Sequence, residues 1–187
     1  HGVFRRQRQM CIRDRYSYSY ENIIKQIASV TSLPIRYVLN THHHFDHAGS
    51  NASFMPSAQV IGHENVRINM LRNVGPSAPS DGAPRITFSD KTSIHLGNAE
   101  VQAHHLGCGH TNGDSAIFFP DLRTIHTGDL FIWGDRMDGT TMAPFIDYEN
   151  GGCAREWVAT LDHVLALDFD TVIPVSYTHL TLPTKDS

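Results

Sequence analysis

Apolar and polar positions divide the middle of the chain into a series of short elements. ENIIKQIASVTS (21–32) spaces Ile23, Ile24, Ile27 and Val30 on one helical face, and Pro34 stops it. IRYVLN (35–40) follows as a short buried strand. NASFM opens a short helix, AQVIGH (58–63) is a strand, and ENVRINMLRN (64–73) is helical. The Gly/Pro/Ser-rich run VGPSAPSDGAP (74–84) reads as a flexible loop bordering a substrate cleft. RITFS, TSIHLG, AEVQAHHLG, SAIFFP and RTIHTG then alternate or run apolar between turns, which predicts consecutive strands. CAREWVATLDHVLAL (153–167) is a helix with Trp157, Leu161, Val164 and Leu165 inward, and DTVIP (170–174) is a last buried strand. The order predicts an α+β fold. Its strands pair mainly as meanders, in two sheets with helices packed outside, rather than as a doubly wound parallel sheet.

Length and composition narrow this picture. A chain of 187 residues, 40% apolar and 18% charged, is one domain with a proper core. No apolar run approaches the roughly 20 residues that span a bilayer, so no membrane partner is expected. The three cysteines, Cys11, Cys108 and Cys153, are too scattered for a disulfide framework. Segments 4–15 and 176–187 resemble translated sequencing-adapter sequence. The expected division is therefore a non-native segment at 1–19, a domain at 20–175 and a non-native tail at 176–187. Without 4–15 and 176–187 the chain holds 9 basic and 17 acidic residues, a formal net charge of −8. That balance argues against a nucleic-acid partner.

The compositional outlier is histidine, 13 in all, and THHHFDHAGS (41–50) concentrates four of them with an aspartate. At the end of an extended segment His42 and His44 point the same way and His43 elsewhere; Asp46 and His47 follow after a turn. Imidazoles and carboxylates without thiolates suit zinc or iron, and two pairs suggest two adjacent metal positions. GCGHTNGD (107–114) puts His110 at a Gly-rich strand end, and HTGDLF (126–131) puts Asp129 at another. Strand ends converging on one edge make an open metal cleft.

His42-x-His44-x-Asp46-His47, followed by GHTNGD and TGDLF, resembles the metallo-β-lactamase fold superfamily, which includes glyoxalase II-type thiolesterases, lactonases and lactamases. The resemblance covers roughly 20–175. It implies an αβ/βα four-layer sandwich, truncated here at both ends, with metal at one sheet edge. His42, His44 and His110 would hold a first metal, Asp46 and His47 a second, and Asp129 would bridge them. One or two zinc ions are implied, with iron or manganese as alternatives. Two metals roughly 3.5–4 Å apart generate hydroxide from shared water at neutral pH, and Asp46 would orient it and pass a proton to the leaving group.

The reaction the resemblance implies is hydrolysis of a small-molecule substrate: an ester, thioester, lactone or β-lactam. The alternatives are a mononuclear iron sulfur or persulfide dioxygenase and a truncated, inactive metal-binding fragment. Members of the family complete the second site with VIPGHG, whereas this chain reads VIPVSYTHL, leaving His179 as a distant substitute and implying a largely mononuclear product. Cys108 is read as a small loop side chain, His43 as outward or next to a ligand, and His126 as bonding a ligand carboxylate. His104 and His105 receive no role, and His63, His95 and His163 are ordinary surface or core positions. Substrate selectivity would rest on the loops 74–84 and 133–152, the second carrying Trp133, Phe145, Tyr148 and several acids.

Overall fold

A computed structural model describes residues 17–72, 80–133 and 143–176. Five helices and ten strands follow in chain order: α1 (Ser17–Ala28), β1 (Tyr37–Leu39), α2 (Phe45–Ala48), α3 (Asn51–Phe54), β2 (Gln59–His63), α4 (Glu64–Arg72), β3 (Ile86–Phe88), β4 (Lys91–Leu96), β5 (Ala99–His104), β6 (Ala116–Phe119), β7 (Thr124–His126), β8 (Ile132–Trp133), α5 (Ala154–Leu165), β9 (Thr171–Ile173) and β10 (Val175–Ser176).

The side-chain parity of three strands shows how the layers stack. In β6, Ala116 and Phe118 pack with Ile125, Leu130, Trp157 and Val164 beneath α5. The intervening Ile117 and Phe119 pack with Val101 and Ala103 of β5 against Leu39 and Phe88 of the other sheet. β6 is therefore buried on both faces, which is why SAIFFP is apolar throughout instead of alternating. In β1, Leu39 joins that middle layer while Val38 points the other way, onto Ile23 and Phe54 under α1 and α3. Helix, sheet, sheet, helix is the αβ/βα sandwich expected from the sequence.

Strand pairing corrects the meander reading in part. β4, β5, β6 and β7 do form an antiparallel meander, closed by β9 parallel to β7. The RITFS strand, β3, leaves that series and joins β1 and β2 in an all-parallel sheet. The helical connection α2–α3 between β1 and β2, and α4 between β2 and β3, supply the crossovers that parallel pairing needs. A short pair, β8 with β10, lies outside both sheets.

Two helices also depart from expectation. α1 begins at Ser17 and ends at Ala28, displaced toward the N-terminus from 21–32. In α5, Leu165 is 69% exposed rather than inward. The inward stripe is Trp157, Thr160, Leu161 and Val164, and Leu165 falls on the helix's solvent side. Thr160 takes a core place because its hydroxyl donates to the Cys108 carbonyl at 2.7 Å, so its own polar atom is satisfied where it is buried.

β5 and β7 each pair antiparallel with β6, so they run parallel to one another and end at the same edge. The Ser115 amide, just before β6, donates to the Thr41 carbonyl beyond β1 at 2.7 Å, which brings the end of β1 to that edge too. Three chain segments that are distant in sequence thus meet at one rim.

Candidate metal centre

The rim carries the histidine cluster. After β1, the Asn40 and Asn51 side-chain amides pair reciprocally at 3.1 and 2.8 Å, and Asn51 also donates to the Gly82 carbonyl. These buried bonds fix where the chain leaves the sheet. α2 then turns it at once, with the His47 and Ala48 amides both donating to the His44 carbonyl at 2.9 Å. Asp46 and His47 lie on this turn, and the His47 ring centroid comes to 4.1 Å from that of His42.

His42, His44 and His110 come together. Their ring centroids lie 4.7–4.8 Å apart and their planes are nearly perpendicular, at 80–88°. Each ring has its outer nitrogen engaged. His42 Nδ1 is 3.2 Å from the Thr41 hydroxyl, His44 Nε2 is 2.8 Å from Asp147 Oδ2, and His110 Nδ1 donates to the Phe145 carbonyl at 2.7 Å. The inner nitrogens face one another, His44 Nδ1 and His110 Nε2 being 2.9 Å apart. His42 Nε2 is buried with no hydrogen-bond partner.

A second group overlaps the first. His47 Nε2 lies 3.1 Å from Asp129 Oδ1, and Asp129 Oδ2 lies 3.6 Å from His110 Nε2. His42, His47 and Asp129 have ligand-capable atoms within 4.8 Å of one another, as do His42, His44 and His110. Asp46 stands at the margin, its Oδ2 3.6 Å from His47 Nε2. Cys108 belongs to none of the groups able to hold a metal among the described residues. Burial raises its thiol pKa, with Glu156 adding to the effect.

His43 is not outward. It is buried, with Nε2 3.8 Å from Asp147 Oδ2. Burial and the neighbouring His44 ring bring its pKa down to about 3. Burial likewise holds His42 well below the ordinary imidazole value, with His47, His110 and His44 adding to the effect. Neutral imidazoles are the form in which histidine binds metal.

Sequence reasoning missed several residues that position this rim. Asp114 closes the turn after His110 by accepting from the Thr111 amide at 2.9 Å and hydroxyl at 2.6 Å. Burial nevertheless pushes its carboxyl up to about 6. Asp147 accepts from His44 and from the Asn150 amide and side chain. Burial opposes its charge, but these bonds outweigh burial and lower its pKa. The sequence signals only that several acids lie in 133–152; nothing in it singles out Asp147.

The remaining histidines divide by environment. His104 Nε2 lies 2.8 Å from Gln102 Oε1, and His126 Nδ1 donates to the Ile173 carbonyl at 2.8 Å, tying β7 to β9. His163 Nδ1 donates to the Leu106 carbonyl. His105 donates to the Asp114 carbonyl and stacks on buried His63 at 3.9 Å. The expectations on most of the loop 74–84, on 134–142 of the loop 133–152, on His179 and on most of the two end segments lie outside the described residues.

The His63–His105 stack makes a pH prediction. Burial first, then the adjacent His105, lowers His63 to about 4 from an ordinary 6.5. The unfolded chain therefore takes up this proton between pH 6.5 and 4 while the folded chain does not. The linked stability is whole above 6.5 and is lost as pH falls through that window. In melts with chelator present, His63→Gln should flatten the fall in midpoint between pH 6.5 and 4. Superimposable pH profiles would refute the assignment.

The sequence profile of the metallo-beta-lactamase superfamily matches residues 14–176. The chain is 32% identical over 160 residues to the probable hydroxyacylglutathione hydrolase glo2 of Schizosaccharomyces pombe, covering 80% of this chain and 51% of that protein. It is 29% identical over 144 residues to the hydroxyacylglutathione hydrolase of Pelagibacter ubique, covering 66% and 54%. It is 26% identical over 152 residues to the 2,4-dinitroanisole O-demethylase subunit alpha of a Nocardioides species, covering 79% and 42%. The chain thus spans about half the length of the curated relatives it matches. Among solved structures, metallo-beta-lactamase IND-7 superposes with a TM-score of 0.66 at 19% identity, over 88% of this chain and 71% of that one. No helix among the described residues is long and apolar enough to cross a membrane. With the profile running from before α1 through β10, and the layered fold shared with a solved lactamase, the chain belongs to the metallo-beta-lactamase superfamily.

Proposed function

We propose that this chain is the metal-binding core of a hydrolase that cleaves acyl bonds, with a hydroxyacyl thioester as its substrate. The observation supporting it is the convergence of three buried imidazoles, outer nitrogens engaged and inner nitrogens facing one another, beside the Asp129 carboxylate. His42 Nε2 and His47 Nε2, both buried without a hydrogen-bond partner, are the sharpest sign that a cation completes the cluster, because buried polar atoms in folded proteins are as a rule satisfied. The donor set is all nitrogen and oxygen, which suits zinc, with iron or manganese as alternatives.

His42, His44 and His110 would hold a first cation, and His47 and Asp129, with Asp46 beside them, would hold a second. When bound, such cations lower the pKa of water towards ~7 and polarise a carbonyl oxygen. Asp46, whose side chain is 25% exposed, orients the attacking water and returns a proton to the leaving group. The Phe145 ring, 61% exposed and 5.7 Å from the His110 ring, offers an apolar lip for the acyl or thiol portion. The thioester is favoured over lactone or lactam by the relatives named hydroxyacylglutathione hydrolases.

After β9 the chain reads Pro174-Val175-Ser176, where the resemblance puts a histidine for the second cation. Zinc content should therefore be nearer one than two per chain. The test compares zinc-loaded and chelated protein on a hydroxyacylglutathione thioester, a lactone and a chromogenic β-lactam. The expected result is metal-dependent thioester cleavage at least about tenfold faster than the others, a difference worth ~1.4 kcal/mol in the transition state. Hydrolysis indifferent to chelation, or no acyl cleavage at all, would refute the proposal.

A further inference from the structure

The segment 145–152 is bound to the metal rim at four points. The Phe145 carbonyl accepts from His110 Nδ1, and the Asp147 carboxylate lies 2.8 Å from His44 Nε2. The Asp147 amide donates to the His110 carbonyl at 2.9 Å, and the Asn112 amide donates to the Asn150 carbonyl at 3.0 Å. Gly152 allows this approach: a Cβ there would stand 2.4 Å from the His110 carbonyl oxygen and 2.9 Å from the Asp147 amide. A side chain at 152 would push the segment off the rim.

Asp147, His43 and His44 also form a group whose ligand atoms lie within 4.8 Å. The chemistry of His44 argues against a third cation there: a neutral imidazole has one ring nitrogen free to bind a metal, and His44 Nδ1 is the nitrogen that faces His110 Nε2, leaving Nε2 to carry the proton toward Asp147.

We propose that Asp147 is the positioning residue of the first metal site. Its carboxylate accepts the Nε2 proton of His44, which keeps the lone pair on Nδ1 and aims that atom at the point His42 Nε2 and His110 Nε2 also face. An outer carboxylate fixes the tautomer and ring orientation of a ligand histidine and raises its basicity; losing such a partner typically costs 10–100-fold in metal affinity. The inference rests on the ligand reading of His44 made above.

The experiment measures zinc affinity of the full chain by competition with a chromophoric chelator, and the visible absorption of the cobalt-substituted protein. Asp147→Ala should weaken first-site affinity about 10–100-fold and alter the cobalt bands. Asp147→Asn, nearly isosteric and still an acceptor, should fall between, and Asp147→Glu should recover part of the loss. Asp147 also closes the 147–150 turn through Asn150, so Asn150→Ala tests a purely structural role; it should leave zinc affinity within about threefold of the parent. If Asp147→Ala fails to fold, Asp147→Asn against Asn150→Ala carries the comparison. Parent-like affinity in the Asp147 variants, or an equal loss in Asn150→Ala, overturns the proposal provided that His44→Ala loses zinc. Should His44→Ala bind zinc as the parent does, the ligand reading itself fails instead.

Discussion

On the function proposed above, His110→Ala should remove both the first-site metal and the hydrolysis. This imidazole is 1% exposed and serves three partners at once. Its Nδ1 bonds the Phe145 carbonyl, its Nε2 meets His44 Nδ1 at 2.9 Å, and the same nitrogen lies 3.6 Å from Asp129. Alanine takes a donor from the centre of the cluster and leaves the Phe145 carbonyl without its bond. Because removing even an outer partner of a ligand histidine costs about 10–100-fold, losing the ligand should lower kcat/KM on the proposed thioester substrate by more than about 100-fold. The fold should survive: one lost buried hydrogen bond costs about 1–3 kcal/mol, and the main cores under α1 and α5 are elsewhere. Metal analysis beside a thermal melt checks both parts. A folded variant with parent-like zinc and turnover would place the chemistry at another site.

Gly128→Ala carries the largest expected loss of stability. Gly128 has φ +53°, and a Cβ there would lie 2.7 Å from both Cβ and Oγ1 of Thr41. Alanine in the left-handed region costs of order 1 kcal/mol, and forcing a methyl into packed structure adds about 1–3 kcal/mol. Thr41 cannot yield freely, because its carbonyl holds the Ser115 amide and its hydroxyl meets His42 Nδ1. A loss of about 3 kcal/mol is therefore expected in urea unfolding. Relief of the clash should also shift Asp129, the next residue, away from His47 and lower metal affinity. A parent-like urea midpoint would show that the loop accommodates a side chain and that the close contact with Thr41 is not a constraint.

Much of the fold was legible because burial leaves a periodic trace. SAIFFP reads as a doubly buried strand because both its faces meet apolar layers. The stripe of α5 is readable from Trp157 to Val164, but Leu165 misleads: apolar character shows that burial is possible and does not supply a neighbour to bury against. The separation of β3 from the meander was hidden for a different reason. Strand patterning shows which faces are apolar, whereas the choice of β2 over β4 as partner depends on the helical crossover through α4.

The same division holds at the candidate site. The sequence singles out His42, His44, Asp46, His47, His110 and Asp129 by residue type and density, and of these all but Asp46 fall in groups able to hold a metal among the described residues. It does not single out the partners of their outer nitrogens. Thr41 and Phe145 are ordinary residues, and Asp147 is one acid among several in its loop.

The linear order of residues by itself determined the available chemistry: imidazoles and carboxylates in short motifs, two directly after the strands β1 and β7 and one, with His110, in the loop between β5 and β6. Only the tertiary structure decided which nitrogen of each ring points inward. That choice depends on hydrogen bonds such as His44 to Asp147, made across 103 positions. Directional bonds of this kind have no local signature, because their energy exists only once the two sheets have packed and carried both partners to one rim.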